Sequence, residues 1–168
     1  MKIEIREACG ADAAQMIIYN KNVGSETDFL SFDGKTFDIG EKKEAGFLDR
    51  FKNTKRDLML VALDGEKIVG NAAIEGNKKA RYSHRAELSI TVLKEYWSKG
   101  IGSMLMERLI EFAKEVSYKN IYLDVRADND RAIALYRKFG FVRVGTYNDY
   151  FMINGKCYDA ELMALYLL

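Results

Sequence analysis

The sequence predicts a mixed α/β (α+β) fold, one domain over residues 1–168, with a mostly antiparallel sheet flanked by helices. Three observations predict it. Apolar and polar residues alternate with period two in segments short enough for strands. From residue 86 onward, strand patterns are separated by segments with helical apolar spacing, giving two strand–helix–strand passages. Third, 168 residues that are 48% hydrophobic and 30% charged have the composition of a soluble globular domain. A chain of about 150 residues buries roughly 70% of its unfolded surface, so neither disulfide nor metal is required.

In chain order, residues 2–6 alternate with Ile3 and Ile5 on one side, as in a short strand. Asp12 is an N-cap for a helix from about Ala13 to Asn22, with Ala13, Met16, Ile17 and Asn20 near one face. Residues 23–42, broken by Gly24, Gly34 and Gly40 among scattered aromatics, give no regular signal. Ala45, Leu48 and Phe51 space a second helix over 42–53. The apolar run Leu58–Leu63 is a strand buried on both faces, Asp64-Gly65-Glu66 a hairpin turn, and Lys67–Glu75 the return strand. Residues 76–84 read as loop. Ala86, Leu88, Ile90 and Val92 then alternate with Glu87, Ser89 and Thr91. Ile101, Leu105, Leu109, Phe112 and Val116 define a helix, and Ile121, Leu123 and Val125 the next strand. Asp128 or Asn129 caps a helix carrying Ala132, Leu135, Tyr136 and Phe139, which Gly140 ends. Phe141–Tyr147 and Glu161–Leu167 are the last strands. The order is β-α-α-β-β-β-α-β-α-β-β.

Inventory removes several chemistries. The only cysteines are Cys9 and Cys157 and the only histidine is His84, too few for a Cys/His zinc site, and no G-x-S-x-G elbow supports a serine hydrolase. Metal ligands: none are expected. A formal charge of +1 argues against a broad nucleic-acid or membrane footprint. No segment approaches the roughly 18 apolar residues of a membrane helix, and the alternating N-terminus is no signal peptide. The expected location is cytoplasmic, with reduced thiols.

The segment Glu87–Ser103, ELSITVLKEYWSKGIGS, runs a core strand through Lys99-Gly100-Ile101-Gly102-Ser103 directly into a helix. Glycines admit close approach of backbone to a ligand, and the first helical N–H groups favour an anion, with Lys99 adding charge. A third glycine of a dinucleotide fingerprint would fall at 105, which is Leu105. The spacing alone leaves a structural turn and a pyrophosphate cradle equally open.

The second segment, DNDRAIALYRKFGFVRVG over 128–145, adds Asn129, Ala132, Leu135, Tyr136, Gly140 and Phe141 in the pattern N-x-x-A-x-x-L-Y-x-x-x-G-F. With the KGIG turn and the strand–helix order, it resembles the GNAT superfamily of N-acetyltransferases. The motifs cover residues 86–145; Trp97 stands where the family usually has Arg or Gln. The resemblance implies acetyl-CoA as co-substrate and direct attack by a primary amine in a ternary complex. It implies that the strand edge at Ile90, Thr91 and Val92 binds the pantetheine arm, that Trp97, Ser98, Lys99, Gly100, Ile101, Gly102 and Ser103 hold the pyrophosphate, that Asn129 sits beside the pantetheine, and that Tyr136 lies near the thioester sulfur.

The reaction asks for three things: loss of a proton from an amine of pKa near 10.4, a donor for the developing oxyanion, and a proton for the leaving thiolate. The Val92 N–H suits the second and Tyr136 the third. Glu87, on the same strand, is the candidate base, acting directly or through water, with His84 in the preceding loop as another titrating group. Each residue also has a structural reading: Tyr136 as core, Asn129 as a cap, Glu87 as a solvated strand residue. Asp159 and Glu161 face either a cationic substrate or solvent, and Phe29, Phe32 and Phe37 form either a substrate wall or core. The acceptor is a small-molecule or peptide amine, and a homodimer is compatible with the pattern. The other readings are a non-catalytic acyl-CoA-binding or sensor module and a dinucleotide-binding protein.

Overall fold

The computed structural model describes residues 2–168; Met1, included in the expected domain, lies outside them. Seven strands form one sheet in the order β1-β2-β3-β4-β5-β7-β6. They are β1 (Ile3–Glu7), β2 (Leu58–Asp64), β3 (Lys67–Gly76), β4 (Arg85–Val92), β5 (Asn120–Arg126), β6 (Val142–Ile153) and β7 (Lys156–Tyr166). The helices are α1 (Ala13–Glu26), α2 (Glu41–Lys52), α3 (Ile101–Glu115) and α4 (Asp130–Lys138). Among the described residues the only parallel neighbours are β4 and β5, joined through α3, as a strand–helix–strand crossover requires. The second passage, β5-α4-β6, crosses over β7, which pairs antiparallel with both β5 and β6.

The apolar run in β2 is buried from Leu58 through Leu63 because helices cover both faces of the sheet there. On one face α3 seats Ile101, Leu105, Met106 and Leu109; Leu105 and Ile101 lie so near Gly70 that a β-carbon there would approach them to 3.2 and 3.3 Å. On the other, the Tyr19 hydroxyl of α1 meets the Thr91 Oγ1 of β4 at 2.8 Å. Thr91 is paired opposite Asn71, next to Gly70, so the pleat sends their side chains to opposite faces.

β4 and β5 hold together only over Arg85–Asn120, Ala86–Ile121 and Glu87–Tyr122. Beyond Glu87 each strand keeps its outer neighbour: β4 stays with β3 through Val92, and β5 with β7 through Arg126. The sheet therefore opens into a V between them.

Four expectations need correction. α1 runs on to Glu26, and its buried face is Met16, Tyr19 and Val23 rather than Ile17 and Asn20; Tyr19 turns inward because its hydroxyl finds Thr91. Asp12 makes no side-chain cap for α1. Its carboxylate instead takes two hydrogen bonds from Arg6, at 2.7 and 2.8 Å, and one from the Cys9 N–H at 2.9 Å, tying β1 to the helix start. β6 extends beyond Tyr147 to Ile153, and β7 begins at Lys156 rather than Glu161. Between them Asn154 and Gly155 both have positive φ, 51° and 75°, as a two-residue hairpin requires.

The Arg6–Asp12 pair carries a pH signature. Hydrogen bonds from Arg6 hold the Asp12 carboxyl below its ordinary 3.8 despite the opposing effect of burial. A depressed folded-state pKa gives stability that is present above the unfolded value and lost as pH falls through the folded one. Asp12→Asn should therefore cost roughly 1–2 kcal/mol at neutral pH. It should also flatten the loss of urea stability below about pH 4; an unchanged acid limb would show that the pair contributes nothing.

Candidate active site

The pairing pattern decides which backbone groups of β4 are free. Arg85 O accepts from Asn77 N at 3.1 Å and Leu93 N donates to Val69 O at 3.0 Å, so odd-numbered residues turn their N–H and C=O toward β3. Even-numbered ones face β5, and past Glu87 no strand is there to receive them. Ile90 and Val92 thus present backbone groups to the open cleft. Of the three expected edge residues, Thr91 does not: its backbone pairs with β3 and its hydroxyl with Tyr19.

Two adjoining cavities occupy the V, of about 490 and 790 Å³. The smaller is lined by Ile90, Thr91, Val92, Trp97, Ser98, Gly100, Ile101, Gly102, Ser103, Asn129 and Tyr136, all of the expected site residues except Lys99 and Glu87. The larger is lined by Glu87, Asp124, Arg85, Arg126 and Tyr150 among others. Ile90, Thr91, Asn129, Ala132 and Tyr136 border both, as do Phe29 and Leu30 from the segment after α1.

At the floor of the smaller cavity, Gly100 caps α3 with φ 83°, a left-handed conformation open to glycine at little cost, and Ser98 also has positive φ at 59°. The first amide to bond back into the helix is Met104, to Gly100 O at 3.1 Å. The preceding amides therefore lack helical acceptors and point outward with the positive end of the helix dipole. Gly102 is small for a different reason: a β-carbon would come within 3.1 Å of Leu135, so it lets α4 pack against the start of α3.

Trp97 donates its indole N–H to Val92 O at 2.7 Å, occupying the carbonyl that the missing strand would have taken. The Arg131 guanidinium stacks on its ring at 4.1 Å. Lys138 Nζ donates to Ser103 Oγ at 2.9 Å. The cations beside the cradle thus come from α4. Lys99, expected to supply that charge, lies outside the cavity, its Nζ over the Tyr96 ring at 4.7 Å.

Asn129 performs its capping role, its side chain accepting from Ala132 N at 3.3 Å, and also lines both cavities. Tyr136 is 6% exposed and packs on Phe141. Burial pushes its phenol above the ordinary range, and the nearby Asp124 carboxylate adds to this, so it stays protonated. Asp124 gave no sequence signal beyond its place in an alternating strand. Partial loss of solvent raises its carboxyl, and it in turn is the main cause of a raised Tyr150 phenol, with Glu87 contributing less. Glu87, Asp124, Tyr150 and Tyr136 therefore share one neighbourhood. His84, Asp159 and Glu161 line neither cavity.

The segment over the cleft is pinned. Arg126, 5% exposed, pairs with Asp28 at 3.2 Å and Asp128 at 2.6 Å and lies between the rings of Phe29 and Tyr158, each 4.2 Å away. Glu26 at the end of α1 accepts from Lys94 N at 2.8 Å. Phe29 and Phe32 are thereby cavity walls, with the Phe37 ring tilted against Phe32 at 5.6 Å between centroids.

Residues 27–141 match the model of the acetyltransferase (GNAT) family. A solved acetyltransferase of the GNAT family from Streptococcus pneumoniae is 33% identical, with a TM-score of 0.95 over 99% of this chain and 100% of that one. An L-amino acid N-acetyltransferase of Escherichia coli strain K12 is 35% identical over 107 residues, 63% of this chain and 65% of its own length. The fold is also that of a phosphinothricin acetyltransferase from Sinorhizobium meliloti solved in complex with acetyl-CoA, 22% identical with a TM-score of 0.84 over 99% of this chain and 89% of that one.

Arg126→Ala should free the Asp28–Leu30 segment, at a cost of about 2 kcal/mol for the lost charged hydrogen bonds. Faster amide exchange confined to residues 27–30 is the expected result, and unchanged exchange there would show that the segment is held by other contacts.

Proposed function

The chain belongs to the GNAT acetyltransferase family, and on that premise we propose that it transfers an acetyl group from acetyl-CoA to a primary amine by direct attack in a ternary complex. The observation that carries the reading is the position of Tyr136 on the wall shared by two cavities. One is floored by the free amides before α3, and the other is lined by Glu87 and Asp124.

The cradle fits a diphosphate: unpaired amides, a helix N-terminus and the Arg131 cation face one region, with Lys138 bonded to Ser103 at its edge. The Ile90 backbone groups and the Val92 N–H, which no strand takes, suit the amide-bearing pantetheine arm as a partial extra strand. Acetyl-CoA supplies an activated acyl thioester. The Val92 N–H is the donor toward charge developing on the acyl oxygen. Asp124, nearer Tyr136, attracts the incoming ammonium. Glu87 takes its proton through water, and Tyr136 gives one to the departing sulfur. The raised Tyr136 pKa keeps that proton available but makes its transfer more uphill, so alignment of the reacting atoms supplies much of the rate.

The relatives' printed names cover L-amino acids, spermidine and N-alpha acetylation, which supports a small-molecule or peptide amine as the acceptor. Among the described residues no helix is long and apolar enough to cross a membrane. The proposal includes a cytoplasmic setting, which the unpaired thiols of Cys9 and Cys157 suit. Self-association belongs to it as well, because β6 is an edge strand with Val142, Val144 and Met152 exposed.

Gly100→Val should weaken acetyl-CoA binding by about tenfold, since a β-branched residue resists φ 83°; calorimetry showing unchanged affinity would remove the cradle. Tyr136→Phe should lower kcat by roughly 10²-fold while acetyl-CoA affinity holds. Full turnover in that variant would remove the proton-donor role. Retained acetyl-CoA binding with no turnover of any amine in the unmodified protein would favour a binding or sensor module.

A further inference from the structure

Charges in the larger cavity are ordered along the strands. Arg85, Glu87, Ser89 and Thr91 share one face of β4, with Tyr122 and Asp124 on the same face of β5, because Glu87 pairs with Tyr122. Thr91 lies toward the smaller cavity and Arg85 at the far end, two residues or about 7 Å behind Glu87. The acidic groups Glu87 and Asp124 therefore lie between the transfer point and a basic end.

Other guanidiniums lining this cavity already have carboxylate partners: Arg50 with Glu75 at 3.1 Å, and Arg126 with Asp28 and Asp128. Arg85 has none among the described residues. Its guanidinium is held 4.4 Å from the Tyr122 ring and 5.5 Å from that of Tyr82, and its Nε is buried without a hydrogen-bond acceptor. Stacking fixes the plane of the fork without using its in-plane donors. Lys78 and Asn77 border the same end. Asn77 Oδ1 already accepts from Lys79 N at 3.0 Å, leaving its amide donors for another partner.

We propose that this end of the cavity is a carboxylate subsite centred on Arg85, so that the acceptor is an amine bearing a carboxylate several bonds away. The inference rests on the acetyl-transfer reading. The separation distinguishes it from recognition of an α-carboxylate, which lies next to its own amine and would stand among Glu87 and Asp124. A cationic tail, as in a diamine, would meet Arg85 and Lys78 with like charge.

The test uses three acceptors of equal chain length: 5-aminovalerate, n-pentylamine and 1,5-diaminopentane, each with acetyl-CoA and thiol release as the readout. 5-Aminovalerate should exceed n-pentylamine in kcat/KM by about tenfold or more. In Arg85→Gln that ratio should collapse toward one, mainly through KM, while acetyl-CoA still raises the melting temperature and so reports a folded protein. Arg85→Lys should restore part of it. Turnover that favours the diamine or shows no preference, or a ratio that survives Arg85→Gln, would overturn the carboxylate subsite and leave acetyl transfer standing. Absence of turnover with all three, together with no stabilisation by acetyl-CoA, would overturn both.

Discussion

The short pairing between β4 and β5 is the constraint on which the rest of the molecule depends. Three register pairs hold the strands together, after which each follows its outer neighbour. Ending a ladder inside a sheet strands polar backbone groups that a buried site must satisfy. Here Trp97 satisfies one of them, the Val92 carbonyl, and the remainder line a cavity. The interruption creates the cleft and also determines what the cleft offers: amides and carbonyls in extended register along one wall.

Everything around the V is fitted to that opening. α3 starts at its mouth, so a helix N-terminus faces the same space as the free strand edge. α4 lies against α3 at Gly102, which brings Asn129, Ala132 and Tyr136 to the junction of the two cavities. Arg126 fastens the Asp28–Phe29 segment over the cleft. The cations and the phenol come from α4 and the carboxylates from β4 and β5, and the sheet's divergence gives them a common focus.

Much of this was legible in the sequence, for identifiable reasons. Strands with a buried face and helices with a clean apolar stripe announce themselves through periodicity, and the turn into α3 through Gly100 and Gly102 beside a helix start. Signals that depend on partners were not legible. Tyr19 is buried because of Thr91, and no local pattern tells this. Lys99 stands beside the glycines but turns to Tyr96, while Arg131 and Lys138, about thirty to forty residues on, come to Trp97 and Ser103 through the packing of α4. Asp124 looked like any solvated strand residue until β4 and β5 set it in the cavity of Glu87. The extent of β6 was hidden by two register shifts, although Asn154-Gly155 marked its hairpin.

Trp97, unusual at its position, has one more consequence. It is the only tryptophan in the chain. Its indole is hydrogen-bonded to the rim of the cleft, stacked under Arg131, and borders the smaller cavity alone. All indole emission therefore originates at a single known point on the wall of that cavity. The protein carries a built-in fluorophore placed on one half of the cleft and not on the other, without label or mutation.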